Sequence, residues 1–158
     1  MMRALLMTAA MVAAGAAAGA PAAVEVTFSD PDRFSDLGPV AERSATLAEL
    51  RLLFKRLAEK RLADGDRLWV EVVDVDLAGH LELDRSGARD VRISREAYPP
   101  RLTLRYRLAR GGDERSGQAD LTDLSYLQGS LRCRGTDPLC REARMVDAWL
   151  EGLHAGRN

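Results

Sequence analysis

The chain has 158 residues, with 23 basic and 24 acidic side chains and a formal net charge of −1. This balance excludes the large positive excess that is typical of nucleic-acid-binding proteins, so we expect no nucleic acid among the partners. The length suits one ordinary domain with a single hydrophobic core.

The first 22 residues have the composition of a secretory signal peptide. Arg3 is the only charged side chain before Glu25, and residues 20–22 read Ala-Pro-Ala, which fits the small-residue rule for cleavage. The uncharged run between them is rich in alanine and glycine, so it is too weakly apolar for a firm membrane anchor. We therefore predict cleavage after Ala22, a single mature domain over residues 23–158 without a transmembrane segment, and a periplasmic or secreted location.

The first half of the mature chain has the pattern strand, helix, strand. Residues 24–28 alternate apolar and polar side chains, as a strand does. Thr46 and Glu49 form a capping-box pattern that predicts a helix start, and Gly65 is placed to end that helix. Its apolar stripe has steps of three and four and consists of Leu47, Leu50, Phe54 and Leu57. Residues 68–77 form a valine-rich strand that we place inside the sheet, parallel to the first strand after a right-handed crossover.

The second half contains a hairpin and a second helix. A weak strand is predicted at residues 91–93, and residues 101–108 alternate clearly. The two glycines at 111–112 suit a two-residue turn, because such turns need positive φ. The register set by this turn pairs Arg110 with Asp113, Tyr106 with Gly117, Leu104 with Ala119 and Leu102 with Leu121. Asp137 and Pro138 are placed to begin the helix. The apolar face of that helix consists of Leu139, Ala143, Val146, Trp149, Leu150 and Leu153.

The element order is therefore β-α-β-(β)-β-β-α, where the strand in brackets is the weak one. This order predicts the α+β class, in which helices and strands are segregated into layers. We expect an antiparallel-dominated sheet of about five strands with both helices packed on one face.

The only two cysteines, Cys133 and Cys140, frame a short segment that is expected to be a tight turn. In an oxidising compartment such a pair favours a disulfide. A redox motif would need C-x-x-C spacing, and a metal site would need two further soft ligands. We therefore predict a structural disulfide.

Three short motifs carry a resemblance. They are V-x-V-x-F-x-D-P at residues 24–31, D-V-D-L-A-G at residues 74–79 and Y-P-P-R-L at residues 98–102. With these motifs the mature chain resembles a family of secreted proteobacterial proteins of unknown function. The resemblance implies a single periplasmic domain, and it supplies no activity or catalytic residue.

Two carboxylates, Asp74 and Asp76, lie near the end of the valine-rich strand. Residues two apart on a strand project from the same face, about 7 Å from each other. Asp123 or Asp120 could complete a site for a hard cation, which prefers oxygen ligands. Strand alternation places both carboxylates on the side of the buried valines. The alternatives are that they lie past the sheet edge or follow a bulge at residues 72–73, where they would accept hydrogen bonds from backbone or arginine donors.

His80 lies on an extended segment with Glu82 on the same face, but no activated serine or cysteine accompanies it. No catalytic triad and no cofactor are therefore predicted. The carboxylates Asp74 and Asp76, with His80, leave open a small periplasmic metal-dependent or acid–base hydrolase.

Arg101, Arg105 and Arg107 form a basic row on the polar face of the predicted hairpin. Such a row could bind an anionic glycan, a lipid phosphate or an acidic protein. The alternative is a solvated sheet face that nearby acidic residues balance. The sequence favours a non-enzymatic periplasmic binding or accessory protein for a partner protein or an anionic envelope component, with the hydrolase as the alternative.

Overall fold

The computed structural model describes residues 20–128, 133 and 137–156. Its elements are β1 (Ala23–Phe28), α1 (Arg43–Arg61), β2 (Arg67–Asp76), β3 (His80–Leu83), β4 (Asp90–Ile93), β5 (Arg101–Arg110), β6 (Asp113–Thr122) and α2 (Cys140–His154). The fold is α+β, as predicted, with six strands rather than about five. The predicted leader lies outside the described residues except for 20–22, and β1 begins where the mature chain is predicted to begin.

The strands form two sheets. β1, β2, β5 and β6 make a four-stranded sheet in that order, and β3 and β4 make a separate two-stranded sheet. β1 is parallel to β2, as predicted, and the other neighbours are antiparallel. β2 lies inside the four-stranded sheet, as its apolar sequence predicts.

The β5–β6 hairpin has the predicted register. Gly111 and Gly112 have φ values of 57° and 92°, which the two-residue turn requires. The ring of Tyr106 lies over Gly117, where a Cβ atom would come within 3.0 Å of the tyrosine hydroxyl. All four predicted pairs are present: Arg110 with Asp113, Tyr106 with Gly117, Leu104 with Ala119 and Leu102 with Leu121.

The hydrophobic core lies between the two helices and one face of the four-stranded sheet. Alternate residues of β2 and β5 supply its sheet side: Leu68, Val70, Val72, Leu102, Leu104 and Leu108. Trp149 of α2 packs edge-on against Phe54 of α1 and Tyr106 of β5, with ring centroids 6.3 and 5.5 Å apart. The opposite face of the sheet, called the outer face below, is covered by neither helix.

The predicted start of α1 is wrong. The helix begins at Arg43 rather than beside Thr46, and no side chain caps it. A 3₁₀ turn at Val40–Glu42 runs directly into the helix and supplies its entry without a capping box. The helix ends at Arg61, before Gly65, which has a φ of 87° in the turn to β2.

The predicted start of α2 is two residues early. The helix begins at Cys140, and Asp137 closes the turn before it by accepting a hydrogen bond from the N–H of Leu139 at 3.1 Å. Cys133 and Cys140 form the predicted disulfide, with Cα atoms 5.6 Å apart. The predicted turn between them, residues 134–136, lies outside the described residues. Neither described helix has the length and apolar character needed to cross a bilayer.

Candidate functional site

A β-bulge in β2 determines where the two candidate aspartates point. β2 pairs regularly with β5 up to Val72, and the register shifts by one residue between Val72 and Asp74. Because side chains alternate along a strand, one extra residue moves all later side chains to the opposite face. Val75 is therefore buried, and Asp74 and Asp76 project from the outer face. A bulge here is one of the alternatives that the sequence leaves open, and the register shift confirms it.

Asp74 and Asp123 are already held by donors of the protein. Ser35 donates to both carboxylate oxygens of Asp74, from its N–H at 2.7 Å and from its hydroxyl at 2.8 Å. Asp123 accepts a hydrogen bond from Ser125 N–H at 3.0 Å and lies 2.7 Å from Arg144 Nη2. Over the described ranges, no group of three or more histidine, cysteine or acidic side chains is arranged to hold a metal ion. Asp74 lies close enough to Asp76 to raise its pKa, but among the described residues Asp123 does not complete a three-ligand group with them.

An ion pair lies at the same end of the sheet. Arg92 donates to both carboxylate oxygens of Asp36, at 2.8 and 3.0 Å, and Gly38 N–H adds a bond at 2.7 Å. Burial alone would raise the pKa of Asp36, but these hydrogen bonds hold it below its usual value. Arg92 also reaches the carbonyl oxygens of residues 77–79 at 3.4–3.5 Å. It therefore joins the loop before α1 to the turn between β2 and β3.

Asp76 has a raised pKa. Burial is the largest cause, the nearby Asp36 carboxylate adds to it, and Arg101 acts in the opposite direction. A raised carboxyl pKa is one mark of an acid–base catalyst. His80 lies on the two-stranded sheet with its ring stacked on Tyr98, 4.9 Å between centroids, and it helps to lower the pKa of the neighbouring Asp36.

A groove with a volume of about 310 Å³ lies around Trp69 on the outer face. Glu25, Trp69 and Arg107 are register partners on three neighbouring strands. The guanidinium of Arg107 stacks on the indole, 3.7 Å from the ring centroid. We call this feature the Trp69 groove; its lining residues are Glu25, Thr27, Trp69, Val70, Glu71, Arg105, Tyr106 and Arg107.

The three predicted arginines lie along the outer face, but each has an acidic neighbour. Arg105 Nη1 lies 3.2 Å from Glu71 Oε2, and Arg107 Nη1 lies 3.2 Å from Glu114 Oε2. Arg101 lies opposite Asp76 of β2 in the sheet register. The outer face therefore carries alternating charges rather than an uncompensated basic row.

A family comparison covers most of the chain. Residues 22–152 match the family described as Protein of unknown function (DUF3016). The chain belongs to this family. No curated protein and no solved structure matches this chain. Membership of DUF3016 confirms the resemblance to a family of unknown function and adds no activity or catalytic residue.

Two of the motifs quoted for the resemblance meet at one end of the sheet in this DUF3016 protein. Gly79, from the motif at residues 74–79, donates its N–H to the carbonyl of Tyr98, from the motif at residues 98–102, at 2.9 Å. A Cβ atom on Gly79 would lie 2.6 Å from a main-chain carbonyl oxygen of β4. The main-chain N–H of Asp36 donates to a carbonyl of β2 at 2.8 Å, and the carbonyl of Asp36 accepts a hydrogen bond at 3.1 Å from the N–H of the residue that follows β2. The two motifs thus form a tightly packed junction between the sheets.

The sequence reasoning missed Trp69 as a site residue. A signal was present, since Trp69 alternates with Leu68 and Val70, which face the core. Alternation therefore assigns this large aromatic side chain to the face away from the helices. The sequence also gives no sign that Glu25 of β1 lies beside Trp69, because that contact depends on the parallel pairing of β1 with β2.

Glu142 was also missed. It lies in the first turn of α2, is only 2% exposed, and accepts a hydrogen bond from Ala78 N–H at 2.9 Å. Its second oxygen has no hydrogen-bond partner among the described residues. Burial is the main reason that the pKa of Glu142 is raised. The side chain links α2 to the turn after β2.

Proposed function

We propose that this protein is an exported, non-enzymatic binding protein that takes its partner or ligand on the outer face of the sheet, at the Trp69 groove. The supporting observation is the one-sided packing, in which both helices cover one face and leave a groove with an aromatic side chain open on the other. A sheet face exposed to water is ordinarily polar. Trp69 departs from this pattern, and tryptophan is one of the residue types enriched where proteins bind partners.

The export part of the proposal is supported by the disulfide between Cys133 and Cys140. Disulfides persist in oxidising compartments, which agrees with the leader predicted for residues 1–22. Intact-mass analysis of protein recovered from the periplasm should give a chain that begins at or within a residue or two of Ala23. A recovered chain that still begins at Met1 would contradict cleavage.

The hydrolase alternative has less support. Both oxygens of Asp74 accept hydrogen bonds from Ser35, and no group of three or more metal-ligating side chains is assembled among the described residues. A carboxylate that its own protein already satisfies is poorly placed to accept a proton from a substrate or to bind a metal.

The two tryptophans of the chain allow a direct test of the binding face. Trp69 lies in the groove, and Trp149 lies in the core on the other side of the sheet. Each gives one indole N–H signal in a ¹⁵N–¹H NMR spectrum. Purified envelope components, namely peptidoglycan fragments, lipopolysaccharide and outer-membrane proteins, would be added one at a time to the labelled protein. We expect a component that binds to move the Trp69 signal and to leave the Trp149 signal in place.

Two variants control for binding elsewhere. Trp69→Ala should clearly weaken the binding, whereas Leu124→Ala, at a position outside the groove that is 75% exposed, should leave it unchanged. A component that binds equally well to Trp69→Ala would contradict the groove as the site. Failure of every component to move the Trp69 signal would overturn the proposed function.

A further inference from the structure

We infer that the ligand of the Trp69 groove is an uncharged glycan, bound through a pyranose ring. This inference rests on the proposed function and specifies its ligand class. Three properties of the groove carry it: the charge balance of its lining, the alternation of hydrogen-bond donors and acceptors, and the aromatic ring at its centre.

The lining of the groove has no excess charge. It contains two carboxylates, Glu25 and Glu71, and two guanidinium groups, Arg105 and Arg107. An anion would approach the arginines but would also face the carboxylates, and Glu114 beside Arg107 as well. A cation would face the two guanidinium groups in the same way. Because like charges repel, an anion is disfavoured by the carboxylates and a cation by the guanidinium groups. An uncharged ligand meets neither repulsion.

The polar groups of the lining suit hydroxyl groups. A guanidinium has five N–H donors and no acceptor, and a carboxylate only accepts. Among the described contacts, Arg105 gives one hydrogen bond to Glu71, and Arg107 gives one to Glu114. Each arginine therefore keeps further donors beside carboxylate acceptors. A sugar hydroxyl both donates and accepts, so neighbouring hydroxyls on one ring can use both types of group.

Trp69 supplies the apolar contact that a sugar ring also requires. One face of a pyranose presents C–H groups, which pack against an aromatic surface as other apolar groups do. Arg107 covers one face of the indole, 3.7 Å from the ring centroid, so the sugar ring would pack against the opposite face. Both residues lie on paired strands rather than on a loop. Sites built on strands keep their geometry. The volume of about 310 Å³ lies at the lower end of the range for small-ligand sites, and the open sheet face leaves room for the chain on either side of the ring.

The test uses Trp149→Phe, which leaves Trp69 as the only tryptophan. This change breaks no hydrogen bond, because Trp149 Nε1 has no partner among the described residues, and phenylalanine keeps an aromatic ring in the core. Trp69 fluorescence would be titrated with the uncharged chitohexaose, cellohexaose and maltohexaose, with polygalacturonate as the anionic comparison and spermine as the cationic one. Should Trp149→Phe fail to fold, the indole NMR signal of the unmodified protein gives the same readout.

We expect saturable binding of at least one uncharged hexasaccharide below about 10 mM, with an affinity that changes less than about twofold between low and high salt. Calorimetry on Trp69→Ala should show about tenfold weaker binding, equivalent to about 1.4 kcal/mol. Arg105→Gln and Glu71→Gln should each weaken binding by a similar factor, since each removes one kind of hydrogen-bonding group.

Two results would overturn the inference. The first is that no uncharged saccharide moves Trp69. The second is that polygalacturonate or spermine binds at Trp69 with a steep salt dependence while the uncharged sugars do not. If another envelope component still moves the Trp69 signal in these cases, the proposed function stands and only the ligand class fails. If nothing moves it, both fail.

Discussion

Replacing Arg110 with alanine tests a buried ion pair that joins three elements. Asp66, in the turn between α1 and β2, is 3% exposed and accepts hydrogen bonds from Arg110 Nε at 3.0 Å and Nη2 at 2.7 Å. It also accepts one from Ala63 N–H at 3.0 Å. Arg110 Nη1 reaches the last carbonyls of α2, at Leu153 and His154, at 3.5 and 3.1 Å. Arg110 therefore connects β5, the α1–β2 turn and the end of α2.

The expected loss of stability follows from what Arg110→Ala leaves behind. The Asp66 carboxylate would remain buried with one N–H donor and no counter-charge, a defect that costs about 3–5 kcal/mol in fully buried pairs. The Arg110 side chain is 34% exposed, so water can partly replace it, and we expect about 3 kcal/mol. Arg105→Ala is the matched control on the same strand: it also removes an arginine paired with a carboxylate, but one that is 60% exposed. It should lower stability by about 0.5 kcal/mol.

Urea unfolding measures both changes. Arg110→Ala should lower the midpoint without changing the slope, because the surface exposed on unfolding stays the same. Adding Asp66→Asn to Arg110→Ala should recover part of the loss, since an amide needs no counter-charge. If Arg110→Ala and Arg105→Ala have the same small effect, the buried pair does not contribute as argued.

Three further predictions concern separate parts of the fold. Gly79→Ala should lower the unfolding free energy by about 3 kcal/mol, because the new alanine would have positive φ and its Cβ atom would also clash with the backbone of β4. Gly87 also has positive φ, but no atom lies within 4 Å of a Cβ there, so Gly87→Ala should cost about 1 kcal/mol. Equal losses for the two variants would contradict the clash. Since burial raises the pKa of Glu142 above 4.5, the stabilisation from its bound proton is present below pH 4.5 and is lost as the pH rises through the raised pKa. Unfolding curves at several pH values should therefore show the wild type losing stability relative to Glu142→Gln over that range, and a constant difference would refute this. Replacing Cys133 and Cys140 together with serine should cost about 2.5 kcal/mol in calorimetry, and a free-thiol assay on the native protein without reductant should label neither cysteine.

Local sequence signals predicted much of the architecture. The two glycines at 111–112 permit positive φ at both positions, and that geometry sets the hairpin register for the ten residues on either side. The stripe of α1 and the apolar face of α2 identified the helix sides that form the core. Such signals are readable because they depend on neighbours within a few residues.

Signals that depend on distant partners were less accessible. The polar face of the hairpin looked basic in sequence, but Glu71, which neutralises Arg105, lies 34 residues away. Asp36 is separated by 56 residues from its partner Arg92. Neither pairing has a local pattern, because each follows from how the strands and loops meet.

The Trp69 groove combines both kinds of information. Alternation along β2 is a property of the sequence, and it suffices to place Trp69 opposite the core side chains. The partners of Trp69 come from the sheet order β1-β2-β5-β6, which brings Glu25 to one side and Arg107 to the other.

Short-range features of the sequence predicted the α+β class, the helix faces, the hairpin register and the cysteine pairing, because each depends on periodicity, turn sterics or composition. Three short motifs predicted the resemblance to a family of unknown function. The tertiary structure decided the outward turn of Asp74 and Asp76, the neutralisation of the arginines and the open groove around Trp69. The bulge between Val72 and Asp74 illustrates the reason. Strand alternation is a local rule, but whether an extra residue interrupts it depends on the neighbouring strand, and one such residue reverses which side chains face the core and which face away from it.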